Sequence, residues 1–261
     1  MNSSQTLPLA NRHAVITGAS RGIGATIARC LADAGADVTL VGRDRSALQS
    51  VADSLRGVKT CCQIADVADA VAVRAAVAGA RAALGPIAIL VNCAGQATSA
   101  PITKTTDALW AQMLAVNLTG SFLCMRECVP DMLAAGFGRI VNIASTAGRI
   151  GYPYVAAYCA AKHGVVGLTR AAALEYAPRG VTVNAVCPGY TDTDLVRSAV
   201  ANIRDKTGRS DAEALAELVK RNPQGRLVTP EEVAHTVLWL CLPAAQSING
   251  QSVAVAGGEV M

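Results

Sequence analysis

Short runs of apolar, often β-branched residues alternate with longer alanine-rich segments from His13 to the end of the chain. The short runs stay apolar at consecutive positions, as in Ile87-Ala-Ile-Leu-Val91, rather than alternating with polar residues. Such runs are typical of parallel strands that helices cover on both faces. The pattern therefore predicts repeated βαβ units and an α/β fold. We expect one Rossmann-type domain with a doubly wound parallel sheet of about seven strands.

Seven segments have the length and apolar character of such strands. They are residues 13–17, 37–41, 59–64, 87–91, 138–143, 180–186 and 252–256. One helix start is particularly clear, because Thr229 can cap the helix, Pro230 suits its first turn and Glu232 completes a capping box. This helix is expected to end near Cys241. The whole chain, residues 1–261, is predicted to form a single domain.

The segment 194–224 departs from this rhythm, because it is polar and charged where the rest of the chain is apolar. Its position between a strand and a helix is typical of a substrate lid. The basic residues of the segment are Arg204, Lys206, Arg209, Lys220 and Arg221. They suit the attraction of phosphate groups, and a solvated helix face explains them equally well.

The composition narrows the possible function classes. Of the 261 residues, 52% are hydrophobic and 16% are charged, which is ample for a buried core. The net charge of +4 is spread along the chain without a Lys/Arg block, so no nucleic-acid partner is expected. Anionic small molecules remain compatible. The histidines His13, His163 and His235 lack the spacing of a metal site, so no metal is expected.

The cysteines and the chain's start indicate a compartment. The nine cysteines are odd in number, form no C-x-x-C pair and mostly lie in apolar runs, as reduced core cysteines of cytosolic proteins do. Residues 1–13 lack the apolar core of a signal peptide, and no stretch of about 18 apolar residues occurs. We therefore expect a cytoplasmic protein without a membrane partner.

A glycine-rich turn follows the first predicted strand and precedes an alanine-rich amphipathic segment. It reads Thr17-Gly18-Ala19-Ser20-Arg21-Gly22-Ile23-Gly24. Glycines there let the backbone turn tightly and approach a pyrophosphate, whose charge the helix N-terminus faces. The alternative is a tight connection without a ligand. The preceding strand and the following helix favour a dinucleotide.

The end of the second predicted strand bears on the choice of dinucleotide. NAD-specific sites usually place an acidic residue there, whereas the 2'-phosphate of NADP needs cations. The chain has Gly42-Arg43, and Arg43 and Arg21 can both make fork-like contacts to that phosphate. NADP(H) is therefore favoured, NAD(H) remains possible, and two solvated surface arginines are the alternative. Asp66, after the third strand, suits either recognition of the adenine amino group or helix capping.

Tyr158 and Lys162 lie four residues apart in an apolar, alanine-rich stretch, and a helix brings such a pair onto one face. A tyrosine hydroxyl has a pKa near ~10 in water, so it can donate a proton at neutral pH. It is a poor base unless a nearby cation stabilises the phenolate, and Lys162 can be that cation. The pair also occurs by chance in many helices, so its meaning depends on the other motifs.

Together these motifs resemble those of the short-chain dehydrogenase/reductase family, over about residues 10–258. Residues 17–24 meet the motif T-G-x-x-x-G-x-G in full. Asn92-Cys93-Ala94-Gly95 matches N-N-A-G at the carboxyl edge of the sheet, with Cys93 as a departure that puts the local backbone network in doubt. Lys162 completes Y-x-x-x-K, and Pro188-Gly189-Tyr190-Thr191-Asp192-Thr193 looks like the family's segment after the sixth strand.

The resemblance implies a catalytic set and a set of cofactor contacts. The catalytic set is Asn117, Ser145, Tyr158 and Lys162. The cofactor contacts are Thr17, Gly18, Ser20, Arg21, Gly22, Ile23, Gly24, Arg43, Asp66, Val67, Asn92, Ala94, Gly95, Tyr158, Lys162, Pro188, Gly189, Thr191 and Thr193. By the same resemblance, Thr193 contacts the nicotinamide carboxamide and Asn117 holds a water that links Lys162 to solvent.

The chemistry of carbonyl reduction gives three of these residues a role. Hydride transfer to a carbonyl carbon builds negative charge on the oxygen, so a proton donor must lie within about 2.6 to 3.2 Å of it. Tyr158 is the expected donor, and Ser145 is expected to orient the same oxygen. Lys162 is expected to lower the pKa of Tyr158 and to bind the nicotinamide ribose. A strand-end hydroxyl and a surface lysine are the alternatives.

The chain looks most like the bacterial 3-oxoacyl reductases and polyketide ketoreductases of this family, especially from Tyr158 to Gly189 and from 225 to 234. The resemblance implies an oxidoreductase that transfers hydride between NADP(H) and a ketone or secondary alcohol. The substrate expected is a 3-oxoacyl compound or related ketone. Residues 133–138 lack the basic residues common in reductases of acyl carrier protein substrates, although Arg179 is present, so free and CoA-linked substrates stay open.

Two other functions remain as alternatives. One is an NAD-dependent dehydrogenase of a secondary alcohol or 3-hydroxyacyl compound, which cofactor preference would separate. The other is a dinucleotide-binding regulator without turnover, which any substrate-dependent oxidation of reduced nicotinamide would exclude. The resemblance also implies a homotetramer, built through the helices around residues 117–132 and 155–177 and the last helix and strand.

Overall fold

A computed structural model of the protein describes residues 7–261. Its strands form a seven-stranded, fully parallel sheet. In chain order the strands are β1 (His13–Thr17), β2 (Asp37–Gly42), β3 (Thr60–Ile64), β4 (Ile89–Asn92), β5 (Gly138–Ile143), β6 (Val181–Pro188) and β7 (Ser252–Val255). Across the sheet the order is β3-β2-β1-β4-β5-β6-β7, so the chain winds outward in both directions from β1 and β4. The predicted doubly wound fold is confirmed.

Helices connect the strands and cover both faces of the sheet. In chain order they are α1 (Gly22–Asp33), α2 (Arg45–Ser54), α3 (Ala70–Leu84), α4 (Asp107–Leu114), α5 (Gly120–Ala135), α6 (Ala156–Tyr176), α7 (Asp194–Thr207), α8 (Asp211–Val219) and α9 (Pro230–Cys241). α1, α2 and α9 pack on one face around residues such as Leu31 and Val237. α3, α5 and α6 pack on the other around Val77 and Met132. All nine cysteines lie within residues 7–261, and none forms a disulfide there.

The observed strand boundaries follow the prediction closely, and two differences have a physical reason. β4 begins at Ile89 rather than at residue 87, because the Ile87 N–H donates to the Asp131 carboxylate at 3.0 Å instead of joining a strand ladder. β6 continues to Pro188, because its last residue still pairs with Val255 of β7.

The helix that the capping signal predicts is present. The Thr229 hydroxyl accepts from the Glu232 N–H at 3.2 Å, and the Glu232 carboxylate accepts from the Thr229 N–H at 2.8 Å. The reciprocal bonds satisfy two backbone donors at the start of α9. The helix ends at Cys241, as predicted.

The polar segment 194–224 folds into α7 and α8, between β6 and α9. Few of its side chains are buried, and Val196, Ala214 and Leu218 are the apolar ones that turn inward. The segment is therefore a helical insertion that lies against the domain by a narrow apolar contact.

The helical run Asp107–Ala135 combines α4, a π-helical turn and α5. By length and composition it could cross a membrane, with a mean hydropathy of 1.3 in its most apolar 18-residue window. The run is not continuously apolar, because charged residues such as Arg126 and Asp131 interrupt it. Cys128 and Met132 of α5 are fully buried in the core beneath the sheet. The run therefore has the packing of a core helix.

Candidate active site

The carboxyl ends of the parallel strands meet at one edge of the sheet. The winding direction reverses between β1 and β4, which lie side by side in the sheet. Open α/β sheets bind ligands in the crevice at this point. The predicted site residues lie on loops and helix starts at this edge, so the fold brings distant motifs together.

The glycine-rich turn after β1 is fitted to the loop after β4. Gly18 has a φ of 65°, and a Cβ added there would lie 2.8 Å from the Ala94 backbone nitrogen. Only glycine allows this approach. The Thr17 hydroxyl accepts from the N–H groups of Cys93 and Ala94, each at 3.1 Å. The two predicted cofactor motifs, whose Thr17 and Cys93 lie 76 residues apart in the sequence, thus form one cradle.

Asn92 and its neighbour keep the loop ordered despite the departure from N-N-A-G. The Asn92 amide donates to Asn142 Oδ1 at 2.9 Å and to the Ser121 carbonyl at 3.3 Å. Its own Oδ1 is buried without a hydrogen-bond partner among residues 7–261. Burial raises the pKa of the Cys93 thiol to about 12, so the thiol is uncharged at neutral pH. Cys93 therefore acts as a small apolar residue within an intact network.

Asn117 lies in the π-helical turn Ala115–Thr119, and its side chain is 1% exposed. Its amide nitrogen donates to the carbonyls of Gln96 at 2.9 Å and Met113 at 3.0 Å, and its Oδ1 accepts from the Gln96 N–H at 3.1 Å. The side chain thus clamps the backbone just after Gly95. Single π-turns of this kind are frequent at functional sites.

Ser145, Tyr158 and Lys162 converge beside this clamp. Ser145 follows β5, and its hydroxyl accepts from the Ala147 N–H at 3.1 Å in a short 3₁₀ turn. Tyr158 and Lys162 lie one turn apart near the start of α6, and the Lys162 nitrogen is 5.7 Å from the centre of the Tyr158 ring. Lys162 is only 4% exposed and donates to the Ile143 carbonyl at 2.8 Å.

Burial shifts both titrating groups of this pair. It raises the pKa of Tyr158 to about 12, while a hydrogen bond with Ser145 acts in the opposite direction. It lowers the pKa of Lys162 to about 8, although the nearby thiols of Cys93 and Cys187 act in the opposite direction and raise this pKa. Desolvation is the largest cause of the shift at Tyr158, and the lowering of its pKa expected from Lys162 stays a prediction. At neutral pH the tyrosine carries its proton.

The two arginines at the cofactor end lie at the surface. Arg21 is 77% exposed and 3.7 Å from the Asp194 carboxylate, and Arg43 is 75% exposed and 3.8 Å from the Asp66 carboxylate. Asp66 also accepts from the Ala68 N–H at 2.9 Å. These are long, exposed ion pairs, which contribute little and leave the guanidinium groups accessible.

Asp66 was a candidate for capping a helix, but another residue caps the helix that follows it. Asp69 caps α3, and its carboxylate accepts from the N–H groups of Val71 at 2.8 Å and Ala72 at 3.2 Å. Asp66 remains free for a ligand apart from its turn and its contact with Arg43. Val67 beside it is buried against Gly120, where an added Cβ would lie 2.8 Å from the valine.

The segment after β6 reaches back to the glycine-rich turn. The Thr191 hydroxyl donates to the Gly189 carbonyl at 3.0 Å, and the Thr193 hydroxyl donates to the Thr191 carbonyl at 3.2 Å. A Cβ added to Gly22, which has a φ of 52°, would lie 3.4 Å from the Thr193 methyl group. The predicted pyrophosphate and nicotinamide segments are therefore neighbours in space.

Sequence reasoning missed two polar side chains at this edge. The Tyr152 hydroxyl lies 2.6 Å from Glu259 Oε1 and 2.7 Å from the Thr146 hydroxyl. Tyr152 and Glu259 are separated by 107 residues, so no local pattern could connect them. Within residues 7–261, no group of three or more His, Cys, Asp and Glu side chains could hold a metal ion.

Comparison with known proteins decides the family. The sequence profile of the family described as short chain dehydrogenase matches residues 12–204. This protein belongs to the short-chain dehydrogenase/reductase family. It is an oxidoreductase that acts on CH–OH or ketone groups.

The most similar relatives of this dehydrogenase/reductase include both reductases and dehydrogenases. The Streptomyces coelicolor protein named "Putative ketoacyl reductase" is 40% identical over 249 residues, covering 94% of this chain and 95% of its own. The D-beta-hydroxybutyrate dehydrogenase of Rhizobium meliloti is 38% identical over 250 residues, covering 94% and 97%. A crystal structure of an actinorhodin polyketide ketoreductase variant with NADPH has a TM-score of 0.92 and 38% identity, covering 96% and 98%.

Proposed function

We propose that the protein is an NADPH-dependent reductase of 3-oxoacyl compounds or related ketones. The observation that carries the proposal is the convergence of Ser145, Tyr158 and buried Lys162 beside the cradle formed by the loops after β1 and β4. A protonated phenol next to a second hydroxyl suits proton donation to a developing alkoxide at neutral pH. Asn117 would complete the set.

The residues present fit a dinucleotide. Gly18 and Gly22 adopt positive φ values at the turn, where a side chain would fill the cradle. The start of α1 presents backbone N–H groups to a pyrophosphate. Arg21 and Arg43 remain accessible enough to bind a 2'-phosphate, and Asp66 could contact the adenine amino group. Thr193, beside the turn, would contact the nicotinamide end.

When bound, reduced NADP supplies the hydride. Tyr158 would donate its proton to the substrate oxygen as negative charge develops there, and Ser145 would donate a hydrogen bond to the same atom. Lys162, with a pKa of about 8, is mostly protonated at neutral pH and would stabilise the tyrosinate that remains. The hydrogen bonds from Asn117 to the Gln96 backbone would hold the loop after β4 in place. A water on Asn117 would link Lys162 to solvent, so that a proton could return to Tyr158.

The choice of ketone rests on the relatives and on the lid. The relatives named putative ketoacyl reductase and actinorhodin polyketide ketoreductase support this substrate class for the chain. We further propose that α7 and α8 close over the substrate, because this insertion is polar and lightly packed. Acyl carrier protein, CoA and free substrates are all compatible with it.

The D-beta-hydroxybutyrate dehydrogenase relative supports the second candidate, an NAD-dependent dehydrogenase of a secondary alcohol or 3-hydroxyacyl compound. The same residues would serve in reverse, with Tyr158 as the base. The raised pKa of Tyr158 keeps the phenol protonated at neutral pH, which is the state that donates in reduction, whereas oxidation would need the phenolate.

Titration calorimetry with NADPH and NADH tests the cofactor, followed by turnover on panels of 3-oxoacyl thioesters, simple ketones and secondary alcohols. We expect tighter binding of NADPH and oxidation of NADPH with 3-oxoacyl thioesters. Tighter binding of NADH together with turnover only on alcohols would overturn the proposal and establish the second candidate.

We also propose that the protein works in the cytoplasm as a homotetramer. The exposed aromatic residues Trp110 and Phe122, on α4 and α5, support an apolar contact between copies near the helices that the family resemblance implicates. Light scattering during gel filtration is expected to give the tetramer mass, and a monomer at micromolar concentration would contradict it.

A further inference from the structure

A carboxylate from the C-terminal tail, residues 256–261, reaches the edge of the catalytic site. Glu259 Oε1 accepts from the Tyr152 hydroxyl at 2.6 Å. The Glu259 side chain is partly buried, and Val260 beside it is 9% exposed. A charge-assisted hydrogen bond of this length is about twice as strong as one between neutral groups. The tail therefore makes a specific contact rather than a loose one.

The contact continues from Tyr152 to the turn that carries Ser145. The Thr146 hydroxyl lies 2.7 Å from the Tyr152 hydroxyl oxygen. A tyrosine has one hydroxyl proton, and the carboxylate is the stronger acceptor, so the Thr146 hydroxyl is left to donate to Tyr152. Thr146 directly follows Ser145 in the 3₁₀ turn. Glu259 thus holds the Ser145 turn through two hydrogen bonds.

The second oxygen of the carboxylate faces the opposite wall. A Cβ added to Gly189 would lie 2.9 Å from Glu259 Oε2, so the oxygen rests against the backbone of the segment 188–193. The Tyr190 ring from that segment meets the Tyr152 ring edge to face, with the ring centres 6.4 Å apart. One carboxylate therefore lies between the serine turn and the segment expected to hold the nicotinamide.

The base of the lid fixes the tail that carries Glu259. A Cβ added to Gly258 would lie 3.2 Å from Pro223 Cγ, so the tail packs directly on the chain that follows α8. The Arg221 guanidinium, from the same stretch, lies 4.9 Å above the centre of the Tyr152 ring. Such cation–π contacts are favourable and orient the ring. Neighbouring residues therefore fix both Glu259 and Tyr152 in place.

We infer that Glu259 is a positioning residue for hydride transfer, which keeps the Ser145 turn and the segment 188–193 at a fixed separation. The inference rests on the proposed function. The serine hydroxyl must meet the substrate oxygen while the nicotinamide meets the carbon next to it. A misplacement of about 1 Å between such groups can slow a reaction about a hundredfold. Glu259 acts on the reaction through the turn and the segment, without touching the reacting atoms.

The test compares Glu259→Ala, Glu259→Gln, Tyr152→Phe and the double variant Tyr152→Phe/Glu259→Ala in ketone reduction with NADPH. We expect Glu259→Ala and Tyr152→Phe each to lower kcat about tenfold, with KM and the Kd of NADPH within about twofold. Glu259→Gln should recover part of the loss, because its amide oxygen can still accept the hydrogen bond. The double variant should be no slower than the slower single variant, because both changes break one chain of contacts.

A kinetic isotope effect and two control variants complete the test. NADPH deuterated at C4 should give a larger isotope effect in Glu259→Ala than in the wild type, because poor alignment makes hydride transfer more rate-limiting. Glu231→Gln and Tyr176→Phe, away from the site, are the matched controls. Single-variant kcat values within about twofold of wild type, losses that multiply in the double variant, or a change confined to KM would each overturn the inference.

Hydrogen exchange separates this inference from the proposed function. In Glu259→Ala without substrate, peptides covering residues 145–152 and 188–193 should exchange faster than in the wild type, while residues 37–54 should not change. A wild-type protein that reduces no ketone would overturn the proposed function. Unchanged exchange in both segments would overturn the positioning role of Glu259, whatever the substrate.

Discussion

The two ends of the crevice hold their positive charges in opposite ways. At the cofactor end, Arg21 and Arg43 are three-quarters exposed and sit 3.7 and 3.8 Å from carboxylates. At the catalytic end, Lys162 is 4% exposed, donates to a backbone carbonyl and has its pKa lowered to about 8. Water screens the charges of Arg21 and Arg43 and is excluded from Lys162.

This difference separates the predicted recognition of the cofactor from the proposed chemistry. An exposed arginine can change its partner from a carboxylate to a phosphate at little cost, so it can select a cofactor without affecting the rest of the fold. The buried lysine and the partly buried tyrosine beside it depend on each neighbouring group, because an unpaired charge or hydroxyl away from water is costly. Substitutions should therefore have large effects on turnover at the catalytic end and modest, selective effects at the cofactor end.

Tyr158→Phe should give the largest effect and would test the catalytic end most directly. Removing the proton donor is expected to lower kcat by about a thousandfold, within the range for loss of a general acid. The Kd of NADPH, measured by calorimetry, should stay within about twofold, because the ring remains. Tyr176→Phe, on the same helix, is the control. A variant that kept most of the wild-type turnover would contradict the role of Tyr158.

Ser145→Ala should come next. The loss of one hydroxyl that donates to the substrate oxygen is expected to lower kcat/KM about a hundredfold, as with other donors to a developing oxyanion. Steady-state turnover on the best ketone measures it, with Ser50→Ala on the exposed side of α2 as the control. An effect equal to that of the control would leave Ser145 as a strand-end hydroxyl only.

Arg43→Asp would test the cofactor end. The loss of one charge-assisted contact to the 2'-phosphate should weaken NADPH binding about tenfold to a hundredfold, while kcat at saturating cofactor changes little. NADH binding should improve or stay the same, because an acidic residue suits the ribose diol. Calorimetry with both dinucleotides measures the shift, with Arg56→Asp as the charge-matched control. Equal weakening with both cofactors would show that Arg43 does not read the phosphate.

The smallest expected effect concerns stability and pH. Lys162 has a folded pKa of about 8 against 10.5 in the unfolded chain, so the unfolded state binds more protons between these values. Its contribution to the free energy of unfolding therefore rises with pH across that window. The difference between wild type and Lys162→Met, measured by urea unfolding without dinucleotide, should increase by about 1 kcal/mol from pH 8 to about pH 9.

Lys104→Met, which removes one positive charge from the surface, is the control for that measurement. If the difference in free energy of unfolding between wild type and Lys162→Met stayed constant or fell over the same pH window, burial would not control the pKa of Lys162. The contrast between the two ends of the crevice would then disappear.

Much of the fold could be predicted because its signals are local. The continuous apolar runs predict the seven strands to within a residue or two, and the box at Thr229 and Glu232 predicts the start of α9. The observed strand boundaries differ from the predicted ones where a residue distant in sequence intervenes. For example, Asp131 accepts a hydrogen bond from the Ile87 N–H, and β4 is shorter as a result. Partners so far along the chain leave no periodic mark in the sequence.

The residues of the candidate site could also be named from spacing and family resemblance, but their physical state could not. Tyr158 and Lys162 are four residues apart in any helix, yet only the fold decides how much water reaches them. That burial raises the pKa of Tyr158 and lowers the pKa of Lys162, which the spacing alone could not show. The sequence left helix capping open for Asp66, and only the turn geometry assigns the cap to Asp69.

By itself, the sequence determined the βαβ order and the family and indicated the candidate reactive side chains, because periodicity and motif spacing are properties of neighbouring residues. Only the tertiary structure decided which charged groups are buried away from water, which loops are in contact and where the Glu259 carboxylate lies. The contact between Tyr152 and Glu259 spans 107 residues and forms only when the sheet has brought the ends of β5, β6 and β7 to one edge. Desolvation and long-range contacts depend on the assembled core, and no stretch of the chain encodes them alone.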